Sequence, residues 1–390
     1  MSATRPPRRA AVLGHPVAHS LSPVLHRAAY DALGLDGWSY EAIDTTEEQL
    51  PAFVNGLDAS WAGLSLTMPL KHAVIPLLDH VDPLANVVGA VNTLVVQPTG
   101  GTRPTFVGTN TDVHGLVAAL REGLGEREVR SAVVLGAGAT AASTLAALAQ
   151  LGCAAPTVLV RSLGRTGSLQ RAAHRMGVEP RFEVLDPASP ALLDRLAGTD
   201  AVVATLPSRA ADPVADALSR AGATPGGVLL DVVYDPRPTA LSVAWTAGGG
   251  TVVGGERMLL HQAAEQVRLM TGRTAPLATM ARALASALGA PGCARRRAQE
   301  PRTAPVVVCP QPAATPAPST MKGPKATAVS RRARREITSP SAHAPPSRNG
   351  RRSPATSSAH PSHASGVPSV PASFTSPNPS PGGCASRSAA

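Results

Sequence analysis

Residues 133–140, VVLGAGAT, run an apolar, β-branched segment straight into a glycine-rich turn. Within and just beyond it, Gly136-Ala137-Gly138-Ala139-Thr140-Ala141 spells G-x-G-x-x-A, and a segment of small residues with helical character continues to Leu151. The first glycine permits a tight turn, and the second lets a pyrophosphate approach backbone N–H groups. The closing small residue lets helix and strand pack closely. The first N–H groups of such a helix lack intrahelical acceptors, so its N-terminus is suited to hold phosphates. A sharp strand–helix turn can also exist without a ligand, but this context favours a dinucleotide.

The end of the next apolar run bears on which dinucleotide. TVLVRS stops at Arg161-Ser162, with Arg165 close behind. Selectivity for NAD usually rests on an Asp or Glu about 20 residues past the turn, which holds the ribose 2′-hydroxyl. No acid stands here, and arginine forks suit a 2′-phosphate. The expected cofactor is therefore NADP, held by Gly136, Ala137, Gly138, Ala139, Thr140, Arg161, Ser162 and Arg165. The alternative is that these arginines are solvated loop residues.

On both sides of the turn, apolar runs alternate with helical patterns, which implies an α/β chain with parallel strands. Before it, strands are expected at 10–14, 38–44, 63–67, 90–96 and 105–108, with a hairpin-like turn at 97–104. Helices are expected at 22–34, 46–57 and 69–78. After it, strands at 131–136, 157–162, 181–186, 201–207, 227–233 and 251–255 alternate with helices at 139–151, 167–176, 190–197 and 211–221. Helices at 256–271 and 276–289 follow.

Beyond this body the composition changes. Residues 290–390 are dominated by Pro, Ala, Ser, Thr and Arg, and read as a disordered tail with too few apolar side chains to offset the entropy of ordering. That tail holds 14 Lys plus Arg against Glu300 and Glu336. Removing these from the totals of 36 basic and 26 acidic residues leaves 22 and 24 for the body. The formal net charge of +10 thus comes from the tail, and the near-neutral body carries no nucleic-acid signal. Cys153 is the only body cysteine, so neither a disulfide framework nor a metal-binding spacing exists. No apolar stretch reaches the roughly 18 residues of a membrane span, and the expected location is the cytoplasm.

Upstream of the glycine turn lie the polar cassettes. HSLSP (19–23) puts Ser22 at an expected N-cap and Pro23 at the first helical position, with Ser20 two residues earlier. Both hydroxyls could meet an anion near the helix start. GLSLTMPLKH (63–72) repeats the arrangement: Thr67 at a strand end, Pro69 opening a helix, and Lys71 in its first turn against an unfavourable dipole. GTNTDVHG (108–115) places Asp112 at the start of a helix, either as a plain N-cap or as the carboxylate partner of Lys71. An acid/base pair beside a dinucleotide turn points to hydride transfer at a carbinol. Tyr234, in DVVYDPRPT (231–239), follows a strand end, where ligands of open α/β sheets collect. Gln262 sits on an otherwise apolar helix face with Val267 and Met270, as a substrate ligand or a satisfied core amide.

Taken in order, HSLSP, the S-x-T-x-P-x-K stretch, GAVNT (89–93), GTNTD, GAGAT, DVVYDPRPT and GGERMLLHQ (254–262) resemble the shikimate dehydrogenase family across residues 10–289. The resemblance implies an α/β substrate domain over 1–112 completed by helices 256–289, and a Rossmann-type NADP-binding domain over 113–255. It implies reversible NADPH-dependent reduction of 3-dehydroshikimate to shikimate in aromatic amino-acid precursor synthesis. It also assigns Ser20 and Ser22 to the substrate carboxylate. Thr67, Lys71, Asn92, Asp112 and Gln262 would hold the ring hydroxyls, with Lys71 and Asp112 as catalytic dyad. Tyr234 and Gly255 would line the nicotinamide and substrate end. Partners would be small molecules, with a homodimer as one possible assembly. The chain departs from the family pattern at Ser65, often Asn, at Ala139, often Gly, and at Val160-Arg161-Ser162, usually Asn-Arg-Thr. The competing readings are a quinate/shikimate dehydrogenase using NAD and a catalytically silent shikimate sensor.

Overall fold

The computed structural model describes residues 7–100 and 103–289, and the expected tail at 290–390 lies outside the described residues. Two six-stranded sheets organise these residues. The first contains β1 (Arg9–Gly14), β2 (Ser39–Asp44), β3 (Trp61–Leu66), β4 (His80–Val81), β5 (Thr93–Gln97) and β6 (Thr105–Thr109), in the order β2-β1-β3-β5-β6-β4. Helices α1 (Ser22–Ala32), α2 (Leu50–Asn55), α3 (Leu70–Ala73) and α4 (Pro83–Val88) connect them. This sheet is mixed rather than parallel: β5 runs antiparallel to both β3 and β6. The short connection between β5 and β6 is the reason, because a hairpin joins antiparallel neighbours whereas a parallel pair needs a crossover. Gln97 pairs with Thr105, so the expected turn is the hairpin loop.

The chain then crosses on α5 (Thr111–Leu124) to the second sheet. Its strands are β7 (Ala132–Leu135), β8 (Thr157–Val160), β9 (Arg181–Val184), β10 (Ala201–Ala204), β11 (Val228–Asp231) and β12 (Thr251–Gly254). They are wholly parallel, in the order β12-β11-β10-β7-β8-β9, which is the doubly wound arrangement. AVVL, AVVA and VLLD are buried along their whole length, as expected of β-branched strands covered by helices on both faces. The connecting helices are α6 (Ala139–Gln150), α7 (Gly167–Met176), α8 (Pro190–Ala197), α9 (Asp212–Ala221) and α10 (Ala240–Ala247). The last helices, α11 (Gly255–Thr271) and α12 (Leu277–Ala287), return to the first sheet and pack with α1 against one of its faces.

Sequence patterning missed α4, β4 and α10. The first two are too short to show a period, and α10 (ALSVAWTA) has no polar stripe to reveal one. The helix expected over 69–78 is broken. Its α-helical part is the four residues of α3, followed by a single 3₁₀ turn at Ile75–Leu77.

The most extensive helix contact between the two halves is α5 against α11. Gly115 sits at the crossing, where an added Cβ would fall 2.8 Å from the Met258 carbonyl oxygen and 2.9 Å from Gln262 Cβ. Only the absence of a side chain lets the two backbones approach this closely.

Candidate active site

A cavity of about 290 Å³ opens among residues just beyond the strand ends of both sheets. From the first sheet come Ser20, Ser22, Ser65, Thr67, Lys71 and Asn92; α5 adds Asp112. Thr140, Val232, Tyr234 and Gly255 enter from the second sheet, and Gln262 and Gln266 descend from α11. Open α/β sheets bind ligands at this edge, because successive loops converge there. All the residues expected to touch substrate line this one cavity.

Lys71 Nζ lies 2.5 Å from Asp112 Oδ2, with the two side chains only 14% and 6% exposed. So short a helix as α3 has no developed dipole, and the carboxylate partner therefore defines the surroundings of Lys71. Asp112 is not the cap of α5. Asn110 is, accepting from the Val113 N–H at 3.3 Å, which leaves the Asp112 carboxylate free for other partners. Its Oδ1 accepts from Asn92 Nδ2 at 2.8 Å. Asn92 is itself held at its oxygen by the Thr111 N–H at 2.7 Å and the Thr93 hydroxyl at 2.9 Å. Gln262 lies at the edge of this cluster, donating to the Leu259 carbonyl at 3.0 Å.

Ser22 differs from expectation in the same way. Leu21 occupies the N-cap, and Ser22 is the first helical residue with no capping bond of its own. The Ser22 N–H instead donates to Ser20 Oγ at 3.3 Å, so the Ser20 hydroxyl oxygen serves the helix start. Near Ser22 lies the buried Tyr40, whose phenol is pushed up by burial. Burial likewise raises Tyr234 at the opposite wall.

Beneath the serines, His26 is fully buried, stacks on Tyr40 with ring centroids 3.9 Å apart, and faces Gln266 Oε1 from Nε2 at 3.3 Å. Burial lowers its pKa from 6.5 to about 3, against the raising effect of Gln266. Its folded value thus lies below the unfolded one, and the unfolded chain binds the extra proton as pH falls from about 6.5 toward 3. Stability contributed above pH 6.5 is lost across that window. At pH 5 the expected loss from this group is about 2 kcal/mol. Urea midpoints at pH 7.5 and 5 should separate more for the wild type than for His26→Asn, and equal separations would refute this assignment.

The glycine turn follows β7 at the switch point between β8 and β10. Gly136 has φ +111°, and an added Cβ would fall 2.7 Å from Thr205 Oγ1, so the turn demands glycine. Gly138 has nothing within 4 Å of an added Cβ, and α6 begins there with no side-chain cap. Open space in front of unsatisfied N–H groups is what a pyrophosphate requires, so these residues fit NADP. Ala137, Gly138 and Ala139 line a second cavity of about 230 Å³, while Thr140 faces the first. Arg161, Ser162 and Arg165 are exposed beyond β8 and do not line that second cavity; Arg171 and Arg175 of α7 do. These two arginines were missed, although their four-residue spacing puts them on one helix face. Arg175 Nε donates to the Val87 carbonyl at the end of α4 at 3.1 Å, tying α7 to the first sheet's connections.

The family model for the shikimate dehydrogenase substrate binding domain matches residues 12–94, and that for the shikimate 5′-dehydrogenase C-terminal domain matches residues 255–285. A shikimate dehydrogenase (NADP(+)) of Citrifermentans bemidjiense is 37% identical over 300 residues, covering 75% of this chain and 99% of that protein. The chain belongs to the shikimate dehydrogenase family. A second family member, from Rubrobacter xylanophilus, is 39% identical over 279 residues, covering 70% of this chain and 94% of its own. Among solved structures, the Mycobacterium tuberculosis shikimate dehydrogenase superposes with TM-score 0.63 at 41% identity, over 72% of this chain and 100% of that one. The Thermus thermophilus shikimate 5-dehydrogenase, solved in complex with NADP(H) and shikimate, gives TM-score 0.60 at 34% identity, over 72% and 99%. Both sheets of the fold are therefore those of the family.

Proposed function

We propose that this chain reduces 3-dehydroshikimate to shikimate, reversibly and with NADPH, and that Lys71 and Asp112 are its acid/base pair. The observation that carries the reading is the Lys71–Asp112 contact of 2.5 Å inside the cavity that Thr140 shares with the glycine turn. Residues 1–112, completed by 256–289, form the substrate-binding part of this reading, and 113–255 the NADP-binding part. When bound, NADPH supplies the hydride.

The protein's side chains do the rest. Lys71 Nζ gives a proton to the carbonyl oxygen as it becomes a hydroxyl, and takes it back in the oxidising direction. Asp112 keeps the ammonium aimed at that oxygen and accepts from a neighbouring ring hydroxyl, which fixes the substrate's orientation. Ser20 and Ser22 hold the carboxylate at the far end, Thr67, Asn92 and Gln262 hold the ring hydroxyls, and Tyr234 and Gly255 close the wall toward the cofactor. Gly136, Ala137, Gly138, Ala139 and Thr140 cradle the pyrophosphate, with Arg161, Ser162 and Arg165 on the adenosine side. The reading also makes this a cytoplasmic enzyme, since Cys153 is a buried free thiol. Among the described residues, no helix is long and apolar enough to cross a membrane.

Steady-state rates with 3-dehydroshikimate and 3-dehydroquinate, each with NADPH and NADH, test the proposal. NADPH with 3-dehydroshikimate should exceed NADH with the same acid by about tenfold or more in kcat/KM, the worth of one charge-assisted phosphate contact. Preference for NADH and the quinate-type acid would overturn it in favour of the quinate enzyme. Shikimate binding without any turnover would overturn it in favour of a sensor.

A further inference from the structure

Along the cavity floor, a line of hydrogen bonds runs from Tyr40 to Asp112, with Ser65, Gln266 and Asn92 lining the cavity and Tyr40 and Thr93 beneath it. The Tyr40 hydroxyl donates to Ser65 Oγ at 2.6 Å, and the Ser65 hydroxyl donates to Gln266 Oε1 at 2.8 Å. Gln266 Nε2 donates to Thr93 Oγ1 at 3.0 Å, and Thr93 donates to Asn92 Oδ1 at 2.9 Å. Asn92 Nδ2 then donates to Asp112 Oδ1 at 2.8 Å, beside Lys71.

Every donor in this line points toward the carboxylate, and the direction has a cause. An ionised Asp112 accepts only, so Asn92 must present its amide nitrogen there and its oxygen to Thr93. Thr93 has one proton, which goes to Asn92, so its oxygen must accept from Gln266. The Gln266 oxygen consequently faces Ser65. His26 Nε2 faces the same oxygen from the other side at 3.3 Å, an arrangement that suits the tautomer protonated at Nε2. Gln266 Nε2 also reaches the Asn92 carbonyl at 3.4 Å, so this buried amide uses both lone pairs and both protons. An amide flipped by a half-turn would set its oxygen against the Asn92 carbonyl, acceptor against acceptor, so that contact favours the arrangement observed.

We infer that Gln266 is a positioning residue: through Thr93 it adds to the Thr111 N–H, at 2.7 Å from the same oxygen, in holding the orientation in which Asn92 meets Asp112, and hence the aim of the Lys71 ammonium. The inference rests on the proposed function, since it concerns the same acid/base pair. It accounts for an amide of α11 lying against β5, two side chains removed from the carboxylate it serves.

Three variants and one pair test it in the full-length protein. Gln266→Met keeps the volume and removes all four polar contacts, while Thr93→Val keeps the shape and removes the hydroxyl. Each should lower kcat about tenfold, the cost of leaving a buried polar group unpaired, with KM for 3-dehydroshikimate changed by less than about threefold. Thr93→Ser restores the hydroxyl and should stay within about twofold of the wild type. The double variant Gln266→Met/Thr93→Val should be no slower than the slower single, because both break the same line. Losses in kcat that multiply in the double variant, or a Thr93→Ser enzyme as slow as Thr93→Val, would overturn the inference and leave a packing role. So would unchanged kcat in both singles. Should Gln266→Met fail to fold, as read by thermal melting, the Val-against-Ser comparison at 93 decides alone. Wild-type turnover tests the function separately, since every expected value here is a ratio to it.

Discussion

Replacing Lys71 by methionine is expected to lower turnover by on the order of 10²–10⁴-fold, the range for a positioned general acid/base. Methionine retains the length and apolar stem of lysine and removes only the ammonium. The carboxylate end of the cavity, with Ser20 and Ser22, is untouched, so shikimate affinity measured by calorimetry should change far less than kcat. That split between binding and turnover is the diagnostic result, because an interaction made chiefly in the transition state appears in kcat. A Lys71→Met enzyme with wild-type turnover would remove this residue from the chemistry.

Asp112→Asn should be nearly as damaging, on the order of 10²-fold in kcat/KM. The substitution preserves shape, but Asn92 Nδ2 donates to the inner oxygen of Asp112, and an asparagine must keep its own oxygen there. Its NH₂ group would then face Lys71 Nζ, where a carboxylate oxygen now lies at 2.5 Å. Donor would meet donor, and the ammonium would swing away from its place. A loss smaller than about threefold in steady-state kcat/KM, with the melting temperature unchanged, would show that the pair is not the reacting one.

Much of this was legible in the chain. The second sheet could be read almost strand by strand, because runs such as AVVL and AVVA are buried on both faces and can be little else. The glycine turn was equally plain: φ +111° at Gly136 is a backbone demand that only glycine meets freely. Lys71, Asp112 and the surrounding hydroxyl and amide residues stood out as polar cassettes at expected strand ends. Other features depended on contacts that no local pattern encodes. Ser22 and Asp112 each read as helix caps, and each proved to sit one or two positions inside the helix, with a neighbour capping or a backbone group starting it. Gln266 was invisible for a different reason. A buried glutamine one turn after Gln262 reads as a core amide until the crossing of α11 over β3 and β5 brings Ser65 and Thr93 to it. The arginines at 171 and 175 carry no strand-end signal, and strand-end logic carries no account of how α7 leans against the turn.

The return of α11 and α12 to the first sheet sets a condition on synthesis. Gln262 and Gln266 are supplied by residues that leave the ribosome after the whole nucleotide-holding half has emerged. A nascent chain can therefore finish its dinucleotide cradle while its substrate cup still lacks a wall.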